Sequence, residues 1–119
     1  MTVSEDFRLQ ELPWGQPLWG VSGALANSEH LTVGWCVLKP GMANDRHYHP
    51  NCDEVLIVVH GRIVHSWNSD EIEMNEGDVV SLPRGVIHNA RNVGKEPARL
   101  LICFSSADRK TVNLEELEA

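Results

Sequence analysis

The sequence is short of basic charge, of cysteine and of long apolar runs. Its 119 residues include 10 basic and 17 acidic side chains, which gives a formal net charge of −7. This acidic balance argues against nucleic-acid backbones and anionic membranes as partners, because both would repel it. No stretch approaches the roughly 20 apolar residues that a bilayer-spanning helix needs. We interpret the charge as a source of solubility.

Signals for export are also missing. Residues 1–6 contain neither the basic segment nor the apolar run of a signal peptide. The three cysteines, Cys36, Cys52 and Cys103, are odd in number and lack the spacing of a zinc knuckle. Free thiols are typical of a reducing compartment. We therefore expect a single domain, which this length suits, in the cytoplasm.

What the sequence does contain is a series of short apolar strands separated by turn residues. Residues 30–40 alternate in strand fashion, with Leu31, Val33, Trp35 and Val37 on one face. Gly61 and the Asn-Ser-Asp run at 68–70 have the composition of hairpin turns. Strands at such short, regular spacing predict an all-β sandwich or barrel.

One predicted strand is apolar on both faces. In residues 54–60, Leu56 and Val58 fall on one face and Val55, Ile57 and Val59 on the other. A strand of this kind belongs to a sandwich, to a covered barrel wall or to a subunit interface. A bare apolar outer wall would associate with another surface, so we predict a homodimer.

Three side chains near the middle of the sequence have the chemistry of metal ligands. In an extended strand, His47 and His49 project to the same side. Glu54 follows a Pro-Asn-Cys-Asp turn, and a strand that bends back after Pro50 brings it beside the two imidazoles. Imidazole and carboxylate are ligands that divalent transition metals prefer.

A fourth candidate ligand, His88, lies in a second turn-and-strand unit. Pro83 sets the backbone of the preceding turn, and Gly85 permits a conformation that a side chain would disfavour. Together they re-aim the chain so that His88 enters the same interior. A single histidine would more often lie on the surface, but this spaced set indicates a metal site.

The two units resemble the two sequence motifs of the cupin superfamily. The first is Gly41-x5-His47-x-His49-x4-Glu54-x6-Gly61, and the second is Gly77-x5-Pro83-x-Gly85-x2-His88-x3-Asn92. The resemblance implies a small antiparallel β-barrel, the double-stranded β-helix or jelly roll, with a metal held in its mouth by His47, His49, Glu54 and His88. From the residues themselves we expect an N-terminal arm of short extended pieces over residues 1–29, a barrel core over 30–104 and a peripheral tail over 105–119. Residues 113–117 have the composition of a short capped helical turn, and Asn92 is interpreted as a turn-forming hydrogen bonder rather than a ligand contact.

A metal with this ligand set would keep about two open positions if it is six-coordinate. Open positions are typical of catalytic sites, and the set suits one Fe, Mn, Ni, Co or Zn ion per chain. We expect an enzyme of the dioxygenase, isomerase, lyase or decarboxylase type that acts on a small polar organic molecule. The alternatives are a binding module without turnover and a barrel that the metal merely fastens.

Several other residues bear on the predicted cavity. Leu56, Val58, Ala90 and either Trp35 or Trp67 are expected to line it, with no inward cluster of basic residues. His60 and His65 are more often partly exposed residues near a hairpin than cavity residues. Cys52 is interpreted as exposed or behind the ligands. Trp14 and Trp19 should pack on this barrel or on a neighbouring subunit.

Overall fold

The protein folds as two antiparallel β-sheets that face each other. The structure, a computed structural model, describes residues 8–114. One sheet has six strands in the order β1-β2-β3-β10-β5-β8, and the other has five in the order β11-β4-β9-β6-β7. The strands are β1 Arg8–Leu9, β2 Gly15–Val21, β3 Thr32–Leu38, β4 His47–Tyr48, β5 Glu54–His60, β6 Ile63–Trp67, β7 Asp70–Met74, β8 Val79–Leu82, β9 His88–Asn92, β10 Ala98–Phe104 and β11 Val112–Asn113. The predicted all-β fold is confirmed.

The core lies between the two sheets and is built by strand alternation. In β5, Leu56 and Val58 are buried, and in β10 the inward residues Leu100, Ile102 and Phe104 are buried too. Register pairing sets Leu56 opposite Ile102 and Val58 opposite Leu100. Every second side chain of each strand therefore faces the interior, where it lies beside an inward side chain of the neighbouring strand. Together these side chains exclude water from the space between the two sheets.

The outward face of the six-stranded sheet is apolar but open in the single chain. Val55 and Val59 of β5, Trp35 of β3 and Val79 of β8 are all exposed. Strand β5 is thus buried on one face only within this chain. For β3, the inward set is Thr32, Gly34, Cys36 and Leu38, and the more apolar set predicted from alternation faces outward.

Glycine at position 34 allows β2 to lie close against β3. A Cβ added there would come within 2.5 Å of the Trp19 ring and 2.7 Å of the Leu18 carbonyl oxygen. Real Cβ atoms do not tolerate such contacts, so the small residue lets Trp19 lie over β3. There it packs against Phe104, with the ring centroids 5.9 Å apart.

The N-terminal segment contains a full strand rather than only short extended pieces. Strand β2 pairs along β3 from Gly15 to Val21 with one irregularity. Trp14 and Trp19 pack against the core of this same chain, which is the first of the two placements predicted for them. Residues 1–7 lie outside the described part of the chain.

The C-terminal segment is not peripheral where the structure describes it. Strand β11 pairs with β4, and Asn51 anchors the chain just before it. The Asn51 side chain donates to the Asp108 carbonyl and accepts from the Lys110 amide, both at 2.9 Å. The predicted tail therefore closes one edge of the five-stranded sheet up to residue 114. Most of the helical turn predicted over 113–117 lies outside the described residues.

Asn92 ties together the turns at one end of the fold. Its side-chain amide donates to the carbonyls of Leu38 and Glu96, at 2.9 and 2.8 Å, and its oxygen accepts from the Gly94 amide at 2.8 Å. The side chain is only 1% exposed. This agrees with the prediction of a turn-forming residue rather than a ligand contact. Across residues 8–114, no helix has the length and apolar character needed to cross a membrane.

Candidate metal centre

Strand pairing brings the four predicted ligands to one place. His47 on β4 lies directly opposite His88 on β9, while Glu54 begins β5 opposite Phe104 of β10. The Gly85 amide donates to the His49 carbonyl at 2.9 Å, which joins the two motifs. One ligand atom from each of His47, His49, Glu54 and His88 lies within 4.8 Å of the others. We call these four residues the ligand cluster.

The ligand cluster lies almost entirely out of water. His49, Glu54 and His88 are 4%, 4% and 3% exposed, and His47 is partly buried. The ring centroids of His47 and His88 are 4.3 Å apart, and those of His47 and His49 are 4.9 Å apart. A buried group of this polarity is costly unless its atoms find partners.

The outer nitrogens of two imidazoles are held by backbone carbonyls. His49 Nδ1 donates to the Lys110 carbonyl at 2.8 Å, and His47 Nδ1 donates to the Asp45 carbonyl at 2.7 Å. In a neutral imidazole, the proton on Nδ1 leaves Nε2 with a lone pair. Backbone acceptors that orient ligand histidines in this way are common in metal sites.

In this tautomer, the Nε2 lone pair of His49 is a hydrogen-bond acceptor that faces another acceptor, the Glu54 carboxylate. His49 Nε2 lies 3.1 Å from Glu54 Oε1, and His88 Nε2 lies 3.6 Å from the same oxygen. Buried His49 Nε2 and both ring nitrogens of His88 have no hydrogen-bond partner. A cation among these atoms would satisfy them together, so the donor set fits a divalent metal.

The charge states of the cluster agree with this fit. Burial lowers the pKa of His88 to about 3, against an ordinary value of 6.5. Burial likewise lowers the pKa of His47. Burial alone would raise the pKa of Glu54, but the close contact with His49 and the electrostatic interaction with the neighbouring imidazoles lower it overall. At neutral pH, His47 and His88 are therefore neutral and Glu54 is ionised, as metal ligands must be.

The cluster opens into a cavity of about 560 Å³ between the sheets. Leu56 and Ala90 line it as predicted, but Val58, Trp35 and Trp67 are not among its lining residues. Trp35 is instead 40% exposed, because it lies on the outward face of β3. The apolar wall includes Trp14, Trp19, Leu56, Leu100, Ile102 and Phe104.

The other histidines divide between interior and surface. The prediction for His65 is wrong, because the residue is 1% exposed, lines the cavity and stacks on His88 with ring centroids 5.3 Å apart. The pairing of His65 with Ala90, a residue predicted to line the cavity, is the signal that could have revealed this placement. His60 is on the surface as expected, between Glu76 and Glu96 at 2.9 Å each. Cys52 is buried in the core, and burial raises the pKa of its thiol.

One cavity residue, Arg109, escaped the sequence analysis. It follows the last long strand in an irregular segment, where no alternation predicts direction. Its guanidinium carbon lies 4.1 Å from the centroid of the Trp19 ring and 5.1 Å from that of Phe104. Among the described residues, Arg109 is the arginine or lysine that lines the cavity.

Comparison with known proteins shows which family and which relatives this chain resembles. A model of the cupin domain matches residues 34–104. Germin-like protein 3-8 of Oryza sativa subsp. japonica is 34% identical over 85 residues, which are 67% of this chain and 38% of that protein. The tetracenomycin polyketide synthase protein TcmJ of Streptomyces glaucescens is 32% identical over 73 residues, 61% of this chain and 49% of that protein.

Solved structures show the same fold at lower identity. Oxalate decarboxylase from Bacillus subtilis has a TM-score of 0.84 at 22% identity, over 92% of this chain and 30% of that one. The enzyme from Lactobacillus farciminis has a TM-score of 0.84 at 23% identity, over 94% and 35% of the two chains. The chain spans less than half the length of these relatives. With the domain match over most of its strands and the jelly-roll likeness, the chain belongs to the cupin family.

Proposed function

We propose that this protein is a divalent-metal-dependent enzyme with His47, His49, Glu54 and His88 as its metal ligands. The observation that supports the proposal most directly is the buried approach of His49 Nε2 and His88 Nε2 to one Glu54 oxygen, although neither nitrogen has a hydrogen-bond partner. Such an arrangement is unfavourable in the protein alone and favourable around a cation. The reaction would be of the dioxygenase, isomerase, lyase or decarboxylase type on a small organic molecule.

The donor set narrows the metal to a class. Three imidazoles and one carboxylate, without a cysteine, suit Fe, Mn, Ni, Co or Zn. Bacillus subtilis oxalate decarboxylase contains Mn(II) centres, which makes manganese the first ion to test. When bound, the metal would polarise a substrate oxygen and stabilise negative charge that develops there.

The chain's own residues would orient the site and limit its access to water. The carbonyls of Asp45 and Lys110 hold two imidazole rings in the tautomer that binds metal. The rings of Phe104 and His49 form an edge-to-face pair, with centroids 4.8 Å apart. Four protein ligands leave about two positions of a six-coordinate ion facing the cavity, where a substrate can bind beside the apolar wall.

A homodimer fits the outward face of the six-stranded sheet. The exposed fractions of Val55, Val59 and Val79 are 37%, 43% and 59%, and Trp35 lies on the same face. Apolar area of this kind is stabilised by a second surface, and a symmetric pair of sheets would cover it. Sedimentation at several concentrations would test the dimer. The cytoplasmic location stays a prediction from the three free thiols.

The decisive experiment compares metal content in the wild type, His49→Ala and His60→Ala. We expect about one ion per chain in the wild type and in His60→Ala, and a loss of the ion in His49→Ala with the fold retained by circular dichroism. Wild type that binds none of the five ions after reconstitution would overturn the proposal. A metal-loaded protein that binds organic ligands but converts none, with and without oxygen, would instead support the non-catalytic binding module.

A further inference from the structure

We propose that the cavity binds a monocarboxylate with an apolar body, and that Arg109 binds the carboxylate. The inference rests on the proposed function in one respect only: the ligand cluster would hold the metal that faces the other end of this molecule. It names a substrate class for the cavity and a binding role for a residue outside both sequence motifs.

Arg109 is a cation without an anionic partner among the described residues. Its only side-chain hydrogen bond within residues 9–114 runs from Nη1 to Thr111 Oγ1, at 2.9 Å. A guanidinium has five N–H groups in a planar fork that matches a carboxylate. Most of this fork is therefore available for a ligand in the cavity that Arg109 lines.

Two aromatic rings fix the direction of the fork. The guanidinium lies over Trp19 and beside Phe104, so the arginine is oriented before any ligand arrives. Burial lowers the pKa of Arg109, and the charge of Glu54 raises it, but an arginine side chain stays charged at neutral pH. A half-buried, oriented cation in a cavity is a strong site for an anion.

The same aromatic ring connects Arg109 with the ligand cluster. The centroid of the Phe104 ring lies 4.8 Å from the centroid of the His49 ring and 5.1 Å from the guanidinium carbon of Arg109. A molecule that lies along this ring therefore reaches the arginine at one end and the metal side at the other. The two acidic lining residues are Glu54, within the cluster, and Asp45, which is exposed.

Much of the remaining cavity wall is apolar, although Gln10, Asn44 and Asn113 also line it. Trp14, Leu56, Leu100 and Ile102 line a cavity of about 560 Å³, a volume in the range of sites for drug-sized molecules. A small diacid would leave this apolar wall in contact with water. An aromatic or branched alkyl body would cover it, so we expect an aryl or alkyl monocarboxylate to bind better than a compact dianion.

The test is calorimetric titration of the full chain with 2-naphthoate, 2-naphthamide and oxalate. The wild type should bind 2-naphthoate roughly 10- to 100-fold more tightly than the neutral amide, because a charge-assisted bidentate hydrogen bond is lost in the amide. Arg109→Gln should remove most of this preference and leave amide binding within about 2-fold. Arg109→Lys should restore part of it, since lysine keeps the charge without the fork.

The matched control is Arg91→Gln, which removes an exposed arginine that does not line the cavity and should bind 2-naphthoate as the wild type does. Equal binding of naphthoate and amide by the wild type would overturn the proposal even if the Arg109 variants failed to fold. Tighter binding of oxalate than of naphthoate would overturn the apolar-body part. Repeating the titration on metal-free wild type separates the two proposals. A preference for naphthoate that depends on Arg109 should persist without metal, so a failure of the metal proposal alone would leave it in place.

Discussion

Among residues 8–114, two groups bring a histidine close to a carboxylate, and they differ in burial and in the direction of the imidazole proton. At the surface, His60 lies 2.9 Å from Glu76 and 2.9 Å from Glu96. In the ligand cluster, the corresponding distance from His49 to Glu54 is 3.1 Å. The side chains of the first group are 47–73% exposed, and those of the His49–Glu54 pair are 4–5% exposed.

The comparison shows that distance alone does not identify a metal site. Both nitrogens of His60 face carboxylates, and water solvates the whole group. His49 has its proton directed to a backbone carbonyl, so its inner lone pair faces the buried Glu54 oxygen. Burial turns the same pair of residue types from a weak surface contact into a group that could hold a cation.

The largest expected difference between the two groups is in metal affinity after loss of a carboxylate charge. Glu54→Gln keeps the shape of the side chain but removes the one anion of the cluster, so affinity should fall by roughly 100-fold or more. Glu96→Gln, the matched surface change, should leave affinity within about 2-fold. Competition with a chelating dye measures both. Equal losses in the two variants would contradict the assignment of Glu54 as a ligand.

The next largest difference between the two groups is expected in the effect of acid on the stability of the metal-free protein. The folded-state pKa of His88 is lowered to about 3, so the unfolded chain binds the extra proton as pH falls below the ordinary value of 6.5. Stability from a neutral His88 is therefore complete above pH 6.5 and declines toward pH 3, by at most about 1.4 kcal/mol per pH unit. The lowered pKa of Glu54 acts in the same direction, since its contribution is present above its ordinary value of 4.5 and is lost in stronger acid.

Urea denaturation at pH 7.0, 5.5 and 4.5 measures this loss. His88→Gln should flatten the dependence on pH, because the titrating group is gone, whereas His60→Gln should keep the wild-type slope. A slope that is unchanged in His88→Gln would place the acid sensitivity elsewhere in the protein.

A smaller effect is expected from the segment that orients His49. Asn51→Ala removes the two hydrogen bonds that hold residues 108 and 110, and with them the position of the carbonyl that accepts from His49. Metal affinity should fall roughly 10-fold. Lys110→Gln breaks only the exposed ion pair with Asp108 and should leave the affinity unchanged. If both variants bind metal like the wild type, the carbonyl of residue 110 does not orient the ligand.

The smallest effect is expected at the surface group itself. Glu76→Gln should change the free energy of unfolding by less than about 1 kcal/mol, and the difference should shrink in high salt, because the pair is exposed and screened. Chemical denaturation with and without 0.5 M salt (about a 4 Å screening length) measures it. A larger loss that salt does not reduce would show that His60 belongs to a structural network.

Sequence alternation predicted the strands better than it predicted their outward faces. The apolar series of β3 and of β5 correctly indicated strands, yet Trp35, Val55 and Val59 face solvent in the single chain. Period-two alternation states which residues share a face, but not which face meets the second sheet. That choice depends on the pairing of β3 and β5 with β10, which joins residues distant in sequence.

His65 and Arg109 were the cavity residues that the sequence predicted least well. His65 has a regular strand position, and its parity would have revealed the interior had the register with β9 been known. Arg109 lies in no regular element, so no period gives its direction. Its place in the cavity follows from Asn51, which holds the flanking backbone from the other side of the fold.

The sequence by itself determined the all-β fold, the two motifs and the identity of the four side chains that can bind a metal, because ligand type and strand spacing are local properties of the chain. Only the tertiary structure decided that their inner atoms lie close together in a buried site. It also decided that Trp14 and Trp19 rather than Trp35 line the cavity, together with an arginine from the C-terminal segment. These features arise where the two sheets and the last segment of chain meet, and burial there sets both the charge and the direction of each group.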